Sequence, residues 1–185
     1  MHMALRTRRW KRADLLRLPD DGNRYEVVDG ELFVTPAPSP AHERILLVLA
    51  ERLRQFLAPL DLGDIHQGRS AVVLGNSQVE PDLLACAVVV PPPATWDEMP
   101  RPFLVVEVLS PTTSRRDQIA KRALYEREGI PEYWIVDGAT RTIRVVSAGR
   151  DAIESTTVFW QPPGASVTLE LDVASLFREA LGPGA

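Results

Sequence analysis

A chain of 185 residues, 45% hydrophobic and 25% charged, has the composition of an ordinary globular protein and the length for one domain with a sizeable core. A net charge of -4 argues against a protein that coats nucleic acid tightly, though not against chemistry on nucleic acid at a site built of carboxylates. The single cysteine, Cys86, excludes a disulfide framework and a thiolate metal site; the longest apolar run, residues 83–90, is too short to span a bilayer, and the N-terminus has no apolar signal core, so a cytoplasmic protein without membrane contact is expected.

Residues 1–23 read as a basic segment with a short helix over residues 10–18, with Leu15, Leu16 and Leu18 turned inward. Arg6, Arg8, Arg9, Lys11, Arg12 and Arg17 crowd there, as a phosphate-contacting arm or, more simply, as a solvated face. Residues 24–181 then read as one domain. RYEVVDGELFVT predicts a hairpin about Asp29-Gly30, with Glu26 and Glu31 flanking the turn. Glu31 is a candidate extra carboxylate for a site, although an exposed hairpin glutamate fits the same pattern. Ser39-Pro40 starts a helix that runs to about Leu57, with Ile45, Leu46, Leu49, Leu53, Phe56 and Leu57 as its buried stripe. His42 falls in its first turn, where it can reach a phosphate or simply be partly exposed.

Residues 64–74 and 79–90 predict two strands joined at Gly75-Asn76-Ser77, the second buried on both faces after Asp82. A proline-rich loop over residues 91–102 leads to a second buried strand, FLVVEVL, residues 103–109. Glu107 interrupts it, and a charge inside such a run is costly unless it is paired or bound to a metal. Ser110, Pro111 and Thr112 end the strand. A helix follows from Thr113 or Ser114 to Glu128, with Ile119, Ala120, Ala123 and Leu124 facing the core and Lys121 off that stripe, toward the preceding strand or toward solvent. Residues 131–137, 142–147, 153–160 and 167–171 predict further strands, and Asp172 caps a last helix through Leu181.

Asp82 and Glu107 on adjacent apolar strands, with Lys121 on the next helix, are the groups a magnesium-dependent phosphodiester hydrolase needs. Mg²⁺ takes one or two carboxylates and keeps several waters, and a nearby ammonium steadies developing negative charge. Only two of the 21 basic residues are lysines, Lys11 and Lys121, in a chain that otherwise writes its positive charge as arginine. An ammonium kept where Arg would serve a surface equally well points weakly to a role for it; chance accounts for it equally.

Pro81-Asp82 followed by Glu107-Val108-Leu109 resembles the PD-(D/E)xK nuclease superfamily. RYEVVDGEL, SPAHERI, EPDLL, LVVEVLSPTT, RRDQIAKRALYEREGIPEYWIVD and TLELDVASLF are similar to the Uma-two restriction-endonuclease-like family of bacteria, over about residues 24–178. The resemblance implies an α/β (α+β) fold with a mixed sheet flanked by helices, cleavage of DNA that depends on Mg²⁺ or Mn²⁺, and Asp82 and Glu107 as metal ligands. The superfamily's lysine would fall at position 109, where this chain has Leu109. The resemblance implies that a lysine on the next helix takes that role, and Lys121 is the lysine there. It also implies places near the site for Glu31 and His42.

Two other readings compete with a metal-dependent endonuclease. One is a DNA-binding or assembly module that kept the fold without catalysis, for which Leu109 and the acidic pI speak. The other is structural, with Glu107 paired to a buried Arg69 or Arg144. A homodimer is expected, because double-strand cleavage wants two sites and closed two-fold dimers are the commonest oligomers.

Overall fold

The structure, a computed structural model, describes residues 9–110 and 115–183. Its first regular pair is the expected hairpin. Strand β1 (Arg24–Val28) runs antiparallel to β2 (Glu31–Thr35), and both turn residues take positive φ (Asp29 51°, Gly30 88°), which matches a two-residue turn to the strands' right-handed twist. Before it, helix α1 covers only Arg12–Leu15. The chain leaves it through tight bonds (Arg17 N–H to Asp14 O, Leu18 N–H to Leu15 O), and Leu16 is exposed rather than turned inward. Arg12 donates to Gln78 Oε1 at 2.9 Å and pairs with Asp97, so this arginine is spent within the protein. Arg6 and Arg8 lie outside the described residues.

Helix α2 (Pro40–Leu57) is capped by Ser39, whose hydroxyl accepts the His42 N–H at 3.2 Å. Its inner stripe of Ile45, Leu46, Leu49, Leu53 and Leu57 is buried as the spacing requires.

Three runs expected as single strands are each broken. Residues 64–74 divide into β3 (Asp64–Gln67) and β4 (Val72–Leu74) about Gly68, whose φ is 79°. The run expected over residues 79–90 breaks after Val79: β5 (Ser77–Val79) takes in Ser77 of the expected turn, and β6 covers Leu83–Cys86. The strand ends at Cys86 because its partner β3 begins opposite, at Asp64. Without a ladder to join, Val88, Val89 and Val90 are exposed rather than buried on two faces. The third break separates β10 (Arg150–Glu154) from β11 (Thr157–Trp160).

The breaks distribute strands between sheets. β4 and β5 join the hairpin in a four-stranded sheet of order β2-β1-β5-β4. β3 and β6 join β7 (Leu104–Val108), β8 (Glu132–Asp137), β9 (Thr142–Ser147) and β10 in a six-stranded mixed sheet of order β10-β9-β8-β7-β6-β3. β7 and β8 are parallel, joined through helix α3 (Arg115–Arg127), and the other pairs are antiparallel. β11 pairs with β12 (Leu169–Asp172), and helix α4 (Val173–Leu181) follows, capped by the Asp172 carboxylate at 2.7 Å from Ser175 N.

Alternation along β7 sorts the two faces of the central sheet. Leu104, Val106 and Val108 pack with α2, α4 and Trp134, while Val105 packs with α3 and the smaller sheet. Glu107 shares the face of Val105. The stripe of α3 that meets this face is Lys121, Leu124 and Tyr125, all buried; Ile119 is 60% exposed and Ala123 is exposed, against the expected stripe. The expected start of this helix at Thr113 or Ser114, and the strand end at Pro111 and Thr112, lie outside the described residues.

Gly63 precedes β3 where two strands nearly touch. A Cβ there would lie 2.6 Å from the Cys86 carbonyl oxygen and 2.7 Å from the Phe103 ring. Gly63→Ala is expected to destabilise the fold by roughly 1–3 kcal/mol. Thermal denaturation should show the Tm lowered by about 2–4 °C for each kcal/mol.

Candidate active site

The β6–β7 register pairs Leu83 with Val106 and Leu84 with Val105. Carried one residue further, it sets Asp82 opposite Glu107, and the Val108 N–H donates to Asp82 Oδ2 at 2.8 Å. Both carboxylates line a cavity of about 430 Å³ together with Lys121, His42 and Arg24. All but Arg24 are buried, and Arg24 is half-buried.

Lys121 reaches across this face of the sheet. Its Nζ lies 2.9 Å from Glu107 Oε1 and 2.8 Å from Glu26 Oε2. Tyr125, one turn along α3, donates its hydroxyl to Glu107 Oε1 at 3.2 Å. Glu107 therefore pairs with Lys121 rather than with Arg69 or Arg144. Arg69 donates to the Asn23 carbonyl, and Arg144 binds Asp151 at 2.6 Å.

Asp82 is held from three sides. Arg24 donates to Oδ1 at 2.7 Å, and His42 Nε2 lies 3.0 Å from Oδ2, which also takes the Val108 N–H. Burial alone would raise this carboxyl. The His42 hydrogen bond and the Arg24 charge outweigh it, and Asp82 is held down at about 2. Glu107 behaves oppositely. Burial foremost, with the nearby Asp82 and Glu26 charges, raises it to about 7 against the pull of Lys121 and Arg24. Burial disfavours the charged His42 ring, but Asp82 overrides that and raises its pKa. Burial also raises Tyr125 well above the usual phenol range, so it remains a donor.

Of the residues expected in a site, Asp82, Glu107, Lys121 and His42 come together. Glu31 is exposed, at the start of β2, and does not line the cavity. The carboxylate that the hairpin contributes is Glu26, fully buried behind Lys121, whose other oxygen accepts the Glu80 N–H at 2.7 Å. Sequence reasoning missed Glu26, Arg24 and Tyr125. A signal existed for the first two: Arg24 and Glu26 stand two apart in one strand, so they share a face.

Among the described residues, no group of three or more His, Cys, Asp or Glu side chains is arranged to hold a metal ion. The two lining carboxylates nevertheless suit a hard divalent cation, which is commonly held by one or two carboxylates and several waters. Asp82 Oδ1 has one protein partner and a carboxylate oxygen has two lone pairs, so it retains acceptor capacity. Among the described residues, the three buried carboxylates meet two permanent cations, Arg24 and Lys121. A divalent cation beside them would relieve the repulsion that adds to burial in raising Glu107.

A comparison with curated proteins finds no match. Among solved structures, the chain is similar to a crystal structure described as "a putative nuclease belonging to DUF820 from Anabaena variabilis ATCC 29413". The TM-score is 0.74 at 20% identity, over 93% of this chain and 99% of that one, a likeness of fold. Residues 12–180 match the Uma2 family, described as "Putative restriction endonuclease". With nearly its whole length matched and a mixed sheet flanked by helices, this chain is a member of the Uma2 restriction-endonuclease-like family.

Proposed function

We propose that this chain is a divalent-metal-dependent endonuclease that hydrolyses DNA phosphodiester bonds by direct attack of water. The observation that carries the reading is the Lys121 ammonium, 2.9 Å from Glu107 in the cavity that Asp82 also lines. Leu109 stands where the superfamily pattern has its lysine, and an ammonium arriving from α3 supplies the missing charge.

Asp82 and Glu107 would hold Mg²⁺ or Mn²⁺, which when bound polarises a phosphoryl oxygen and acidifies a water. Lys121 stabilises negative charge as it develops on the phosphate, and burial strengthens that effect because charges are screened less in low-dielectric surroundings. Glu26 fixes the ammonium from behind, and Tyr125 fixes the Glu107 oxygen that faces it. Arg24 neutralises Asp82 and lines the same cavity, where its guanidinium can meet a substrate phosphate. His42 holds the second Asp82 oxygen and orients that carboxylate.

Supercoiled plasmid incubated with Mg²⁺ or Mn²⁺ tests the reading. Wild type should nick or linearise it, while Asp82→Asn and Lys121→Met should lose at least about 100-fold in rate. Wild type inactive on plasmid and on single strands would leave a DNA-binding module in its place.

Glu26 touches no substrate in this reading and acts through Lys121. Glu26→Gln should lower kcat by about 10- to 100-fold with KM little changed. Glu26→Asp, which restores the charge on a shorter arm, should recover part of the loss.

The pH dependence of stability follows from Glu107. Its folded pKa of about 7 lies above the ordinary 4.5, so the folded state holds the proton more tightly. Stability that is present below pH 4.5 is lost as pH rises through 7, by up to ~1.4 kcal/mol per pH unit. In EDTA, the Tm of wild type should fall relative to Glu107→Gln between pH 5 and pH 8, and Mg²⁺ should restore more of it at pH 8.

A further inference from the structure

We infer that this site takes a single, unpaired DNA strand rather than an intact duplex. The inference rests on the nuclease reading and adds the class of substrate.

Depth is the first observation. Asp82, Glu107 and Lys121 are 5%, 8% and 3% exposed at the base of the cavity. A phosphate meets them only if the strand that carries it enters. A volume of about 430 Å³ falls in the range of pockets that enclose one small molecule. It has room for about one nucleotide and not for a stacked, base-paired duplex. A paired strand would first have to unstack and unpair, at a cost of roughly a few kcal/mol. A strand already free avoids that cost.

The walls are the second observation. The lining is mixed: Arg24 and Arg69 bring guanidinium groups that each have N–H groups beyond the bonds to Asp82 and the Asn23 carbonyl, Gln118 brings an amide, and Pro36, Pro38, Leu46 and Leu47 bring apolar surface. Proteins that hold single strands without reading their sequence combine cations for the backbone with side-chain surfaces, most often aromatic, for the base faces; here prolines and leucines offer that surface. Leu47 is 53% exposed between the buried Leu46 and Val48, so it stands at the rim with its side chain in water. A base laid on it would remove that apolar surface from solvent.

Charge is the third. At a net charge of -4 the chain lacks the long-range attraction that draws proteins onto the dense phosphate array of a duplex. Local cations and apolar contact remain, and both favour one strand with its bases free. One strand also needs only one site, which removes the reason to expect a two-fold dimer.

The test offers wild-type protein one DNA sequence in three forms: single strand, blunt duplex, and duplex with an unpaired tail. Cleavage is read on denaturing gels with Mg²⁺, and binding by fluorescence anisotropy in EDTA. The single strand and the tail should be cut, and the single strand bound at least about tenfold more tightly than the duplex. Leu47→Glu should weaken single-strand binding by about tenfold without moving the Tm. Equal or tighter binding of the blunt duplex, or cutting of the duplex as fast as the single strand, overturns the inference and leaves the nuclease standing. Single-strand binding untouched by Leu47→Glu also overturns it. If none of the three forms is cut, the nuclease reading falls, and the binding ratio alone still decides between one strand and two.

Discussion

The Lys121 ammonium, buried between Glu26 and Glu107, is the constraint on which the rest of the site depends. Its three members come from three elements: β1 of the smaller sheet, β7 of the central sheet, and α3 between them. Each is costly to bury alone, and removing one leaves its partners as uncompensated charges, typically a loss of about 3–5 kcal/mol. The cluster therefore fixes how the hairpin sheet, the helix and the central sheet sit against one another. Apolar side chains of similar volume would hold such a joint as well or better. The charges add chemistry.

The same cluster divides the labour of the two cavity carboxylates. Asp82, supplied with donors by Arg24, His42 and the Val108 amide, remains an anion far below neutrality. Glu107, equally buried but crowded by like charges, sits near its midpoint at pH 7. Environments that push two acids apart are how one pocket assigns different roles to chemically equal groups. Here the difference is set by which carboxylate meets backbone and guanidinium donors and which must share a single ammonium.

The cavity exists because two strands break. If residues 64–74 and 77–90 ran on as uninterrupted strands, all of them would lie in one sheet. The turn at Gly68 and the bend at Pro81-Asp82 send half of each run to the hairpin sheet. Asp82 is left at the bend, where its carboxylate lines the cavity and accepts the Val108 N–H of β7. The apolar run of β6 continues past its last partner, and the exposed Val88, Val89 and Val90 are what remains.

Local signals in the sequence determined the hairpin, the limits of α2, the cap of α4, and the buried strand around Glu107. Each rests on interactions within a few residues: positive φ at Asp29-Gly30, a serine hydroxyl on a helix N-terminus, an apolar run interrupted by one charge. Asp82, Glu107 and Lys121 were legible as candidates because a charge among apolar neighbours is an anomaly that local spacing exposes. The rotation of α3 was not legible, since Ile119 and Ala123 make the better apolar stripe and it is carboxylates of two other elements that meet Lys121 inside. Nor was the choice between Glu31 and Glu26. The two flank one turn, and which of them is buried depends on what the fold sets beside β1: β5 pairs with it from some fifty positions away, and Lys121 of α3 covers Glu26. The sequence by itself determined which residues carry charge into the apolar elements; the tertiary structure decided which of those charges meet, because a buried ion is stable only beside partners that the fold brings from elsewhere in the chain.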